Sequence, residues 1–203
     1  MSLDPFFLIG IDEAGRGPLA GPVSVGAVMI PIAECSAIFS SLPGIRDSKK
    51  LSEKKREELY ASMLGLRREK KIAFAVGLVP HTLIDKEGIV KAIRRGIFSV
   101  LVKISADPLC SRILLDGSLH APEQFVDQET IIRGDETEPI ISLASIAAKV
   151  VRDRKMKELA ALYPLYDFEV HKGYGTKGHY AALETHGMCP IHRRSYLKTL
   201  PIA

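Results

Sequence analysis

The apolar run Phe6-Phe7-Leu8-Ile9-Gly10-Ile11 ends in two adjacent acids, Asp12 and Glu13. A glycine-rich turn follows at once: Ala14-Gly15-Arg16-Gly17-Pro18-Leu19-Ala20-Gly21-Pro22. An apolar run of that length predicts a buried strand. Unpaired charge at the edge of a core is costly, so something must compensate the two carboxylates. A divalent metal ion is the leading candidate. Alternation along an extended strand sends the two side chains to opposite faces. They therefore do different jobs, or the chain twists locally to make them converge.

The rest of the chain predicts an α/β fold. Strands are expected at residues 6–12, 23–30, 71–79 and 112–117, with a short fifth at Ile131-Ile132. The short connection between the first two favours a hairpin. A loop is expected from Pro31 through Gly44. Ser52 caps a predicted helix over 53–64, and Ile89, Ile93, Ile97, Val100 and Ile104 mark a second over 88–105. A third helix starts near Pro139 and runs to about Leu162. Residues after about 165, rich in histidine, glycine and tyrosine, read as an appendage on the main sheet. We therefore expect a main domain over 1–165 and a C-terminal segment with helical potential over 166–203, packed on it.

Three acidic positions share a context. Asp12 ends the first predicted strand, Asp116 ends the fourth, and Asp135 follows the fifth. In α/β sheets, adjacent strand ends converge on one edge, where sites form. With Glu13, four carboxylates share that edge, repel one another and raise each other's pKa. Hard oxygen donors without histidine or thiolate favour magnesium or manganese over zinc. Two such ions about 3.5–4 Å apart form a clamp suited to phosphodiester cleavage. Taken singly, Asp116-Gly117 also fits a turn, and Asp135 also fits a helix cap. Jointly the positions are far more specific.

These residues carry a family likeness. Gly10-Ile11-Asp12-Glu13-Ala14-Gly15-Arg16-Gly17-Pro18 resembles the opening signature of the type 2 ribonuclease H family, ribonuclease HII. The likeness continues through Asp47-Ser48-Lys49-Lys50-Leu51, Leu115-Asp116-Gly117 and Arg133-Gly134-Asp135. It runs on through Ala144–Val150 with Arg152-Asp153-Arg154, His171–Thr176 and Pro190–Ser195. The resemblance implies a ribonuclease H-like fold: a central mixed five-stranded sheet flanked by helices, with a C-terminal helical segment. It also implies an endonuclease that cuts the RNA strand of RNA–DNA hybrids and nicks duplex DNA at embedded ribonucleotides, leaving 5′-phosphate and 3′-hydroxyl. On this likeness Asp12, Glu13, Asp116 and Asp135 are both the catalytic residues and the metal ligands, for one or two Mg2+ or Mn2+ ions.

Such an enzyme must inspect one sugar, where only the 2′-hydroxyl distinguishes RNA from DNA. Gly15, Arg16 and Gly17 suit that task, because glycines let backbone groups approach a sugar edge. A plain turn with a solvated arginine is the alternative. Tyr174 resembles the family tyrosine that packs on the sugar at an RNA–DNA junction; a half-buried core tyrosine is the alternative. Lys49 matches the family lysine that neutralises a phosphate, against a solvated lysine at a helix start. Lys149 and Arg152 either contact the nucleic-acid backbone or pair with Asp153.

Other readings are weaker. His171, His179, His186 and His192 with Cys189 lack the spacing of a compact zinc site. His120 follows Asp116 closely, but metal-activated water is a simpler nucleophile. A silent hybrid-binding module would not need an intact acidic set. A junction-resolving nuclease would not need Gly15-Arg16-Gly17 or Tyr174. The turn lacks a Walker lysine or dinucleotide spacing, which leaves little support for a small-nucleotide protein. Net charge is a mild +4, with bases gathered at Lys49-Lys50, Lys54-Lys55-Arg56, Arg67-Arg68, Lys70-Lys71 and Arg193-Arg194. Those runs fit a solvated surface or a phosphate-facing groove. The three cysteines have no close spacing and read as reduced thiols. No secretory signal or membrane span is evident, so a cytoplasmic monomer is the default expectation. Pro201-Ile202-Ala203 is too short to read as a sliding-clamp motif.

Overall fold

The structure, a computed structural model, describes residues 6–42, 44–45 and 51–198. Lys49, with the rest of Asp47–Lys50, and Pro201-Ile202-Ala203 lie outside the described residues. In chain order the elements are β1 (Phe7–Ala14), β2 (Val23–Pro31), α1 (Cys35–Ser41), α2 (Glu53–Arg68), β3 (Ala73–Val79), α3 (His81–Glu87) and α4 (Ile89–Lys103). These are followed by β4 (Ser111–Asp116), β5 (Gln128–Ile131), α5 (Gly134–Thr137), α6 (Pro139–Leu162), α7 (Phe168–His171) and α8 (Lys177–His186). The strands form one five-stranded sheet in the order β3-β2-β1-β4-β5. The β1–β2 and β2–β3 pairs are antiparallel, whereas β1–β4 and β4–β5 are parallel. The sheet is therefore mixed and five-stranded, as the family resemblance implies.

Both faces of the sheet are covered. On one face Ile9, Ile11, Ile113 and Leu115 pack with Ile93, Ile97 and Val100 of α4. On the other, Val28, Ile30 and Leu114 pack with Ile140, Ile141, Ala144 and Ala147 of α6 and with Leu59 and Met63 of α2. Alternation along β1 leaves Gly10 facing α6. A Cβ there would sit 2.3 Å from the Ile140 carbonyl oxygen, so the missing side chain is what lets α6 lie against the sheet. A third apolar cluster joins Leu19 and Ala20 of the glycine-rich loop to Met156, Phe168, Leu183 and Ile191.

Several boundaries differ from the sequence expectation. Strand β1 extends through both acids to Ala14, because Asp12, Glu13 and Ala14 pair with Gly26, Val25 and Ser24 of β2. The expected loop after Pro31 contains α1, a short helix that buries only Ile38. Helix α2 runs four residues past the expected end, with Arg67 and Arg68 in its last turn, where cations favour the helix dipole. The Arg67 guanidinium also lies 4.7 Å from the Phe74 ring centre. Helix α3 precedes α4 as a separate element, and Gly88 between them adopts φ +82°. The fifth strand occupies Gln128–Ile131 instead of Ile131-Ile132. Its polar side chains hide it from apolar patterning, as suits a sheet edge. Gln128 anchors it by accepting from the Ala121 amide at 2.8 Å and donating to the Phe125 carbonyl at 2.8 Å.

Candidate active site

Strand register sets the acids. Ile11 of β1 pairs with Leu115 of β4, so Asp12 and Asp116 are the next residues on parallel neighbours. By alternation with Gly10 and Leu114, both face α6. Asp12 is 5% exposed, and Ser145 of α6 hydrogen-bonds its carboxylate. Glu13 belongs to the opposite face by alternation, yet it lines the same cavity as Asp12 and Asp116. Pairing with β4 ends at Ile11–Leu115 while pairing with β2 continues to Ala14, so Glu13 stands where β1 is open on its β4 side, and Arg16 Nη1 lies 3.4 Å from its Oε1. The Glu13 amide donates to Asp12 Oδ1 at 2.7 Å. Asp135 is fully buried in the first turn of α5, and its amide donates to Asp116 Oδ1 at 3.2 Å. The cavity thus receives Asp12, Glu13 and Asp116 directly, while Asp135 stands behind Asp116.

This cavity has a volume of about 390 Å3. Its walls are the Ala14–Gly17 turn, Ser145, Ile146 and Lys149 of α6, Arg56 of α2, and Tyr174. Gly15, Arg16, Gly17 and Tyr174, singled out by sequence, are therefore brought to the acids. Lys149 Nζ pairs with Asp153 at 2.9 Å and lies 5.7 Å from the Tyr174 ring centre. His120 is placed elsewhere, in a neighbouring cavity with Arg94 and Glu123.

Electrostatically the acids are under pressure. Burial, then the charges of Glu13 and Asp116, hold the Asp12 carboxyl well above the usual carboxylate range. Burial raises Glu13 as well; Arg16 opposes that rise and Asp116 adds to it. A small divalent cation relieves such pressure, and an all-oxygen donor set suits magnesium or manganese. Among the described residues, no three acid, histidine or thiol groups are already gathered to hold one ion.

Two buried arginines shape the loop that forms the near wall. Arg193 is fully buried; its Nε donates to the Gly21 carbonyl at 3.0 Å, Nη1 to Arg16 at 2.9 Å, and Nη2 to Gly15 at 2.7 Å. Arg152, also fully buried, donates from Nε to the Pro22 carbonyl at 2.9 Å. Burial pulls its pKa down to about 10. It lies against Gly15, which adopts φ +89°, and a Cβ there would meet Arg152 Nε at 1.9 Å. Gly15 thus serves both the turn and the close approach. Sequence reasoning missed Arg193, Arg152, Arg56 and Ser145 in these places. Ser145 left a weak signal, a lone hydroxyl in the apolar run Leu143-Ala144-Ser145-Ile146-Ala147. Nothing local marks Arg193 as buried and its neighbour Arg194 as exposed.

The chain matches the family Ribonuclease HII over residues 9–199. A ribonuclease HII from Endomicrobium trichonymphae is 44% identical over 92% of this chain and 83% of its own length. Among solved structures, the PCNA:RNase HII complex from Archaeoglobus fulgidus superposes with a TM-score of 0.75 at 23% identity, covering 95% of this chain and 94% of that one. Bst-RNase HIII in complex with Mn2+ superposes with a TM-score of 0.65 at 17% identity, over 91% of this chain and 64% of that one.

Proposed function

The chain belongs to the ribonuclease HII family and is a metal-dependent endoribonuclease that cuts the RNA strand of RNA–DNA hybrids, and on that premise we propose how its residues divide the work. Asp12, Glu13, Asp116 and Asp135 hold one or two Mg2+ or Mn2+ ions and are the catalytic residues. The bound cation supplies the positive charge that activates water and stabilises the leaving oxygen. Asp12 and Asp116 are presented from adjacent parallel strands, so their backbone positions are fixed before any ion arrives. Ser145 orients Asp12, and the Asp135 amide orients Asp116.

The second part of the proposal concerns the sugar. The Gly15-Arg16-Gly17 backbone and Tyr174 lie on the walls of the acid cavity. There they read the 2′-hydroxyl of a single ribonucleotide, so the enzyme also nicks duplex DNA at embedded ribonucleotides, leaving 5′-phosphate and 3′-hydroxyl. Lys49 neutralises a substrate phosphate. Residues 1–165 carry catalysis, and residues 166–203 carry the substrate-contacting segment. No helix among the described residues is long and apolar enough to cross a membrane. We place the enzyme in the cytoplasm as a monomer.

The observation that carries this reading is the meeting of three acids, the glycine turn and Tyr174 on one cavity. The test is a matched pair of duplexes, one all-DNA and one with a single ribonucleotide, each with Mg2+, Mn2+ or chelator. Nicking only of the ribonucleotide duplex, only with metal, is expected. Binding without nicking in both metals overturns the catalytic assignment of the acids at such sites.

A further inference from the structure

Behind Tyr174 lies a buried cluster with no place in the chemistry so far. Phe168, His179 and His192 are almost wholly buried, with Tyr166 and His171 packed against them. His171 stacks on His179 with ring centres 4.4 Å apart, and the Phe168 edge meets His179 at 5.5 Å. Tyr166 donates its hydroxyl to the Gly187 carbonyl at 2.9 Å.

Donor and acceptor logic fixes the protons. The Cys189 amide, which can only donate, meets His192 Nδ1 at 2.9 Å, closer than the Cys189 Sγ at 3.1 Å or its carbonyl oxygen at 3.2 Å, so we assign that nitrogen as bare. A neutral His192 then carries its proton on Nε2. That nitrogen lies 2.9 Å from Nε2 of His179, which must accept. His179 consequently carries its own proton on Nδ1, 2.9 Å from the Tyr174 carbonyl oxygen. The result is a one-directional chain: Cys189 amide, His192, His179, Tyr174 carbonyl. Each ring is held in one tautomer by the next bond. His171 stands beside this chain, accepting from the Gly173 amide at 3.1 Å and bonding the Tyr166 carbonyl at 2.6 Å.

The other end of the chain is tied to the opposite wall of the cavity. His192 forms an antiparallel bridge with Ala20, and the neighbouring Arg193 amide donates to the Leu19 carbonyl at 2.7 Å. The Arg193 side chain then reaches Gly15 and Arg16. One dipeptide thus holds the glycine turn through Arg193 and Tyr174 through His192 and His179. Two walls carried by distant segments gain a common spacer.

We propose that His192 and His179 are positioning residues that set Tyr174 against the Gly15-Arg16-Gly17 turn, and through it set the enzyme's efficiency on a ribonucleotide. The proposal rests on the reading that Tyr174 faces the sugar. Misplacement of a positioning group by about an ångström can cost up to about a hundredfold in rate.

The test is a double-mutant cycle on a duplex with one ribonucleotide, with melting curves to establish folding. His179→Leu removes the side-chain donor to the Tyr174 carbonyl, leaving it the Thr176 amide at 2.8 Å, and is expected to lower kcat/KM about tenfold or more. His179→Asn puts an amide nitrogen near the place of Nδ1, keeps the donor and is expected to restore most of the activity. In a Tyr174→Ala background, His179→Leu is expected to add no further loss, because no ring remains to be placed. Equal losses in both backgrounds, or an Asn variant as impaired as the Leu variant, overturn the proposal. A Tyr174→Ala enzyme with unchanged kcat/KM would instead sink the sugar-facing reading itself. Should His179→Leu fail to fold, His192→Leu and His192→Gln run the same cycle. Glutamine places its nitrogen near Nε2 and keeps the donor to His179.

Discussion

Two buried polar clusters flank the Gly15–Gly21 loop, and they are built on opposite principles. At the sheet edge, Asp12, Glu13 and Asp116 share one sign of charge, and burial raises Asp12 and Glu13 together. Across the loop, His179 and His192 are buried as neutral rings, each donating and accepting in a closed sequence. The first arrangement opposes folding until a cation arrives; the second supports folding as it stands. Strain collects where chemistry is done, and satisfied polar bonds collect where the site is held.

The largest expected effect breaks the acid side alone. Asp116→Asn keeps shape and removes charge. On the role proposed for Asp116, losing a metal ligand forfeits several kcal/mol of transition-state stabilisation, a fall in cleavage of at least about a hundredfold. Because Asp116 also presses on Asp12 and Glu13, the variant's melting temperature should stay level or rise. A nicking assay paired with a thermal melt checks both halves. A large drop in stability would mean that the acids are scaffold after all.

The next effect falls on the holding side. Arg193→Met leaves the Gly15 and Gly21 carbonyls without this donor, while Arg16 keeps the Tyr196 hydroxyl at 2.9 Å. Unsatisfied buried groups cost about 1–3 kcal/mol each. We expect a loss of about 2–3 kcal/mol, seen as a melting point lower by about 4–12 °C. If the variant melts like wild type, Arg193 does not hold the loop.

A smaller effect separates the clusters by ligand. Mg2+ or Mn2+ at ten times its dissociation constant should stabilise the protein by about 1.4 kcal/mol. The gain should vanish in Asp116→Asn and persist in His179→Asn. Melts with metal and with chelator provide the comparison. A metal response lost in the histidine variant would join the two clusters that the structure keeps apart.

The sequence made the acid side legible and left the holding side dark, for physical reasons. Carboxylates at the end of an apolar run are anomalous in one dimension, so Asp12, Glu13 and Asp116 announce themselves. Register then brings them together, because β1 and β4 are parallel and end at nearly the same level. Alternation leaves open whether Asp12 and Glu13 part or converge; both line one cavity because pairing with β4 stops at Ile11 while pairing with β2 continues past Glu13. Strand β5 escaped its true position because Gln128-Glu129-Thr130 carries no apolar alternation. Spacing alone offers the histidines only as zinc ligands, and it does not match a compact site. Their bonds to one another depend on which segments meet, and 13 residues separate His179 from His192. Likewise Arg193 lies 178 residues from Gly15, beyond any local pattern.

The smallest effect is a pH dependence, and the two clusters should pull it in opposite directions. Asp12 and Glu13 have folded pKa values above the ordinary range, so protonating them relieves the fold as pH falls. Burial holds His192 down at about 4, and His179 and His171 are lowered by burial as well. For a depressed histidine the stabilising contribution is complete above the unfolded pKa of about 6.5. It is lost as pH falls through the folded value. The charges that bear on these rings are Asp167 and Glu169 from the α7 region, with His81 from α3. His192→Gln keeps the donor to His179 and cannot take a proton in this range. Subtracting its melting point from that of wild type therefore isolates the His192 contribution. The difference should be greatest at about pH 7 and shrink toward about pH 4.5. A difference that grows in acid would mean that His192 is held charged, and the tautomer chain running to Tyr174 would then have no bare nitrogen to start from.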